Sequence, residues 1–159
     1  MRMNALHPGD TQKVELLGRN RLIDELLRAE LEVALPIRDR GIDVIAYADL
    51  TSAVERYVAR PIQMKAAWAQ SFSIDRKYAK FRDLILAFVW HLGDREKAVT
   101  FAMSYGDAIA IGDAMEWTKT DSWVKGGMYS MSRPSARLVK LLEPHRMEPS
   151  RWWSLVTSC

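Results

Sequence analysis

The chain has a single cysteine, Cys159, its last residue. One thiol excludes an internal disulfide and a cysteine-built zinc site. Histidine is nearly as scarce. His7, His91 and His145 stand singly, none with a partner three or four residues away, which argues against a histidine-rich metal site. No apolar run reaches the roughly 20 residues that a membrane-spanning helix needs, so no membrane partner is expected. The stretch from Met1 to Gly9 is polar and irregular and lacks the apolar core of a secretion signal, which predicts an intracellular, cytoplasmic protein. A dominant charge is missing too. The 23 basic and 20 acidic residues leave a net charge of +3, which permits a nucleic-acid partner without demanding one. There is no repeat, no low-complexity tract and no linker. What remains is 159 residues, 48% hydrophobic and 27% charged, the profile of a globular chain. The expected organisation is an irregular N-terminus over 1–10 and one domain over 11–159.

Asp10 or Thr11 can cap a long helix running to about Glu30. On a helical period Leu16, Ile23, Leu27 and Leu31 form one apolar stripe, with Asn20 in its middle and Glu15 toward its flank. Asp24, Glu25 and Arg28 read as solvated. A polar residue within an apolar stripe needs a partner or a task. Glu32 to Pro36 reads as a short strand ended by proline, and Ile37 to Gly41 as a charged turn.

A β-hairpin follows. Its strands are Gly41-Ile42-Asp43-Val44-Ile45-Ala46-Tyr47 and Arg60-Pro61-Ile62-Gln63-Met64-Lys65-Ala66. Side chains alternate between the two faces of a strand. Asp43 therefore shares a face with Ile45 and Tyr47, and Gln63 shares one with Lys65. The carboxylate, amide and amine are expected to converge on one side, with Val44, Ala46, Ile62 and Met64 packing a helix on the other. The connection from Asp49 to Arg56 is too long for a tight turn and protrudes.

Next comes a basic and aromatic stretch, Phe72, Arg76, Lys77, Tyr78, Lys80, Phe81 and Arg82. It reads as a nucleic-acid-binding face or as a solvated face over packed rings. Asp83 to Trp90 is nearly continuously apolar, as a strand buried on both faces would be. A further strand over Ala98–Met103 and helices over Tyr105–Glu116, Ser135–Glu143 and the Trp152-Trp153 tail complete an α/β sandwich around a mixed sheet.

A long first helix, a strand with Gly-Ile-Asp43-Val and a strand with Gln63-Met-Lys65 ending in alanine resemble the PD-(D/E)XK nuclease-like superfamily. That superfamily includes Holliday junction resolvases and many restriction enzymes. The resemblance spans about Thr11 to Met147, and the hairpin carries its specific part. It implies a restriction-endonuclease-like three-layer fold and a metal-dependent DNA endonuclease. Asp43 and Gln63 would hold Mg2+ or Mn2+, and Lys65 would assist attack on the phosphodiester. Asn20 or Glu15 would complete the shell from the first helix, and Arg76, Lys77, Lys80 and Arg82 would contact nucleic acid. Cleavage of both strands implies a homodimer, for which the apolar C-terminal tail is the available seam. Glutamine and asparagine where the family has acids leave two rivals open. One is a non-catalytic nucleic-acid-binding module on the same fold. The other is an interaction protein that docks through its tryptophan-rich tail.

Overall fold

The computed structural model describes residues 9–158. Its centre is a five-stranded mixed sheet in the order β1-β2-β3-β5-β6. The strands are β1 (Leu31–Ala34), β2 (Val44–Ala48), β3 (Ala59–Ala66), β5 (Ile85–Trp90) and β6 (Val99–Ser104). β2 runs antiparallel to both β1 and β3, β3 and β5 are parallel, and β6 returns antiparallel to β5. A parallel pair needs a long crossover, and here it is made by β4 (Phe72–Asp75) and a 3-10 helix (Arg76–Lys80).

β5 is buried at every position, as its unbroken apolar run requires. Ile85, Ala87 and Val89 face one layer, where they meet Val44, Ala46, Ile62 and Met64 together with Leu22, Leu26 and Trp152. That layer is α1 (Thr11–Arg28) and α5 (Pro149–Thr157). Leu86, Phe88 and Trp90 face the other layer, with Phe72, Ile74, Tyr78, Ala108, Ile111 and Leu138. This second layer contains α2 (Tyr105–Ala114), α3 (Asp121–Gly126) and α4 (Ala136–Leu142). It also holds a two-stranded sheet of β4 and β7 (Met128–Met131), which the sequence reading missed. The chain is thus an α/β protein with a mixed sheet between helical layers.

The first helix starts as anticipated, with the Asp10 side chain accepting from Lys13 N at 3.0 Å. Its orientation does not follow the expected stripe. The buried positions are Gly18, Leu22 and Leu26, whereas Leu16 and Leu27 are 55% and 50% exposed. Asn20 consequently lies on the exposed side. Two apolar rows run along this helix, and two features choose between them. Gly18 lets the helix approach β3, where a Cβ on residue 18 would stand 2.6 Å from Ala66 Cβ. Glu25, which reads as solvated in sequence, accepts from Thr100 Oγ1 at 2.8 Å and from Trp152 Nε1 at 3.1 Å, so it ties α1 to β6 and α5.

Glycine inside a helix normally costs about 1 kcal/mol relative to alanine, so Gly18→Ala should stabilise an unconstrained helix. Here the new methyl meets the fixed Cβ of Ala66. We expect a net destabilisation of about 1–3 kcal/mol, the usual range for overpacking. Urea unfolding measures it, and equal or greater stability would refute the close approach.

The C-terminal helix is also used internally. Trp152 and Val156 are fully buried against α1 and the sheet. That side of the helix is taken up inside the fold, while Trp153 and Leu155 of the same tail are only half-buried.

Candidate metal centre

The hairpin opens at Asp43. Its N–H donates to Ile62 O at 2.9 Å, and the ladder between β2 and β3 ends at the Val44–Ile62 pair. β3 continues to Ala66, paired only with β5. Met64 N–H thus points to a side that β2 has left. A buried amide needs an acceptor, and Asp43 supplies one, with Oδ2 accepting from Met64 N at 2.7 Å. The same oxygen accepts from Gln63 Nε2, also at 2.7 Å. Both bonds fall on Oδ2. The cation beside Oδ1 is Arg19, whose Nη2 lies 3.9 Å away.

Two further carboxylates come from different segments. Glu15 projects from α1. Asp39 comes from the turn before β2, where its Oδ1 accepts from Gly41 N at 3.0 Å. Gly41 has φ +90°, a conformation that favours glycine, so the turn depends on that residue. Glu15, Asp39 and Asp43 each place a carboxylate oxygen within 4.8 Å of the other two. They line a cavity of about 440 Å3 together with Gln63, Met64 and Trp68.

Burial raises the pKa of the Asp43 carboxyl above its ordinary value. The Met64 amide and Arg19 act in the opposite direction, and the charges of Asp39 and Glu15 add to the rise. Arg19 Nη2 is bonded to Glu15 at 2.7 Å. One guanidinium thus lies between Glu15 and Asp43, where it competes with any other cation.

The residues singled out in sequence separate here. Glu15, not the exposed Asn20, occupies the first-helix position beside Asp43. Gln63 reaches Asp43, but with its N–H, so it holds the carboxylate and presents no oxygen to it. Asp39 fills the third acidic position. Sequence reading passed over it as part of a charged turn, although the Asp-x-Gly spacing of Asp39 and Gly41 was a turn signal.

Lys65 does not join the cluster. Its Nζ lies over the Tyr78 ring, 5.7 Å from the centroid. Of the basic stretch, Arg76 sits over Trp123 at 5.1 Å and donates to Trp123 O at 2.9 Å. Lys77 lies 5.0 Å from the Tyr78 centroid, and Lys80 5.3 Å from that of Phe81. Arg82 is exposed. Tyr78 is buried beneath Lys65 and Lys77, Phe72 is buried against Phe88 and Trp117, and Phe81 beneath Lys80 is half-buried.

The donor set fits a hard divalent cation. It is made entirely of oxygen, and two of its three members, Glu15 and Asp39, are exposed. A cation would also relieve the mutual repulsion of the three carboxylates. The cluster can therefore hold a metal ion.

The sequence matches no family model, and neither a curated protein nor a solved structure is significantly similar to it. No helix among the described residues is long and apolar enough to cross a membrane.

Proposed function

We propose that this chain is a divalent-cation-dependent DNA endonuclease of the PD-(D/E)XK type, using Mg2+ or Mn2+. The observation that carries the reading is the meeting of Glu15, Asp39 and Asp43 where the hairpin opens, within 4.8 Å of one another. The strand order and the long first helix support it. Hydrolysis requires water to attack phosphorus, the ester P–O bond to break and the departing oxygen to gain a proton. A bound divalent ion supplies Lewis-acid polarisation of the phosphoryl oxygen and a more acidic water. The chain's own residues prepare for this. Met64 N–H and Gln63 fix Asp43, Glu15 and Asp39 complete an acidic pocket, and Arg19 holds two of these carboxylates together.

One observation favours a second reading, a nucleic-acid-binding module without hydrolysis. Lys65, the residue the resemblance would place at the reacting phosphate, sits over Tyr78 outside the carboxylate cavity.

Plasmid nicking with Mg2+ or Mn2+ against chelator separates the two. Nicking that needs metal and disappears in Asp43→Asn is the expected result. DNA retardation that persists in chelator, without nicking in either metal, sinks the enzyme reading and leaves the module.

A further inference from the structure

Lys65 and Gln63 stand two residues apart on β3, about 6.6 Å along the strand, and share a face. Their register partners on β5 are Phe88 and Leu86, both in the core layer that contains Tyr78. The carboxylate cavity is lined by Gln63 but not Lys65, together with Met64 and Ala66, which pack toward α1. At Gln63 the two regions touch, since its amide reaches Asp43. Beyond it the line runs along the strand to Lys65 and then to Tyr78.

Tyr78 is buried, and two ammonium groups lie within cation–π reach of its ring, Lys65 at 5.7 Å and Lys77 at 5.0 Å. Among the described residues, no carboxylate stands within ion-pair distance of Lys65, whereas Lys77 pairs with Asp75 at 3.2 Å. The pair therefore carries excess positive charge. The ring limits the freedom of both side chains before any ligand arrives. Lys80 and Arg82 continue the charge along the chain.

We propose that Lys65, Tyr78 and Lys77 form a ledge that binds a nucleic-acid phosphate neighbouring the one at the carboxylates. On this assignment, which rests on the nucleic-acid reading above, Lys65 is a positioning residue and not the group that assists attack. The ledge belongs to the phosphate backbone and not to the bases, because its aromatic ring is buried beneath the ammonium groups.

The test uses the full chain and a fluorescein-labelled DNA duplex, with binding measured in chelator over a series of salt concentrations. Neutralising one phosphate contributes a slope of about −0.9 to log K against log salt. Lys65→Gln should weaken binding several-fold regardless of sequence and flatten the slope by about one contact. Lys77→Gln should act similarly, and Lys65→Arg should restore most of the affinity. Under cleavage conditions Lys65→Gln should raise KM about fivefold or more and leave kcat within about twofold. A collapse of kcat with unchanged binding overturns the proposal and returns Lys65 to the reacting centre. An unchanged salt slope, even with an altered melting temperature, also overturns it, since the lysine then only covers Tyr78. If the wild type binds DNA with the expected Lys65 dependence but never nicks, the ledge stands and the nuclease reading falls. If it binds no DNA at low salt, both fall.

Discussion

Asp43→Asn should abolish divalent-cation binding and lower metal-dependent cleavage by at least about 100-fold, while leaving the protein folded. The magnitude follows from the several kcal/mol of charge stabilisation that a bound ion supplies, at 1.36 kcal/mol per tenfold in rate. The fold survives because asparagine keeps an oxygen for Met64 N–H. Asp43→Ala keeps none. It strands a buried amide and should cost about 1–3 kcal/mol as well as the metal.

The pH dependence has a definite sign. Burial raises the Asp43 pKa in the folded state above its unfolded value. The folded protein therefore holds that proton more tightly than the unfolded chain does. The stability contributed by the protonated form is fully present below the unfolded value and is lost as pH rises through the raised folded value. In chelator, wild type should accordingly lose stability relative to Asp43→Asn as the pH is raised through the acidic range. Metal binding should weaken in the reverse direction, because a proton competes for the same carboxylate. Thermal melts of both proteins with and without Mn2+, at several pH values, check all of this. A wild-type melting temperature that Mn2+ does not raise at neutral pH would remove the metal centre.

Trp152→Ala should be among the most damaging changes in the core. Trp152 is 1% exposed and belongs to the cluster with Leu22, Leu26 and Val44. Truncating a buried tryptophan costs about 3–5 kcal/mol. Its indole N–H also donates to Glu25, which meets Arg21 at 2.9 Å and Thr100 at 2.8 Å. Losing that donor loosens the join between α5, α1 and β6. At about 2–4 °C per kcal/mol for a chain of this size, the melting temperature should fall by about 10 °C. Trp152→Phe keeps most of the area but not the hydrogen bond, so its loss relative to wild type reports the Glu25 contact, and the further loss in Trp152→Ala reports the packing. A loss below about 1 kcal/mol for the alanine variant would show that α5 is not part of the cooperative core. Because α1 also carries Glu15 and Arg19, the alanine variant should weaken cation binding before it unfolds.

Much of this molecule is written locally. Asp10 caps α1 through a bond three residues long, and β5 announces itself by six consecutive buried side chains. The alternation of Val44, Ala46, Ile62 and Met64 with their polar neighbours places one face of the hairpin against a helix. Such features depend on residues a few positions apart, where propensity and periodicity act directly. The small sheet of β4 and β7 was not legible, because its strands are four residues long and far apart in the chain.

The candidate site divides in the same way. Asp43, Gln63 and Glu15 could be singled out from the hairpin and the first helix. Tertiary structure decided that Asp39 joins them, that Asn20 does not and that Lys65 turns away. Asp39 arrives through a turn set by Gly41. Asn20 is excluded because Gly18 and Glu25 fix the rotation of α1 against the sheet. Lys65 follows its own face of β3 to Tyr78, supplied by a crossover 13 residues further along the chain. The sequence by itself determined which chemical groups this protein has and which strand or helix carries each. Only packing between distant segments decided which of them meet, because a helix with two apolar rows and a strand with two faces each have more than one way to turn.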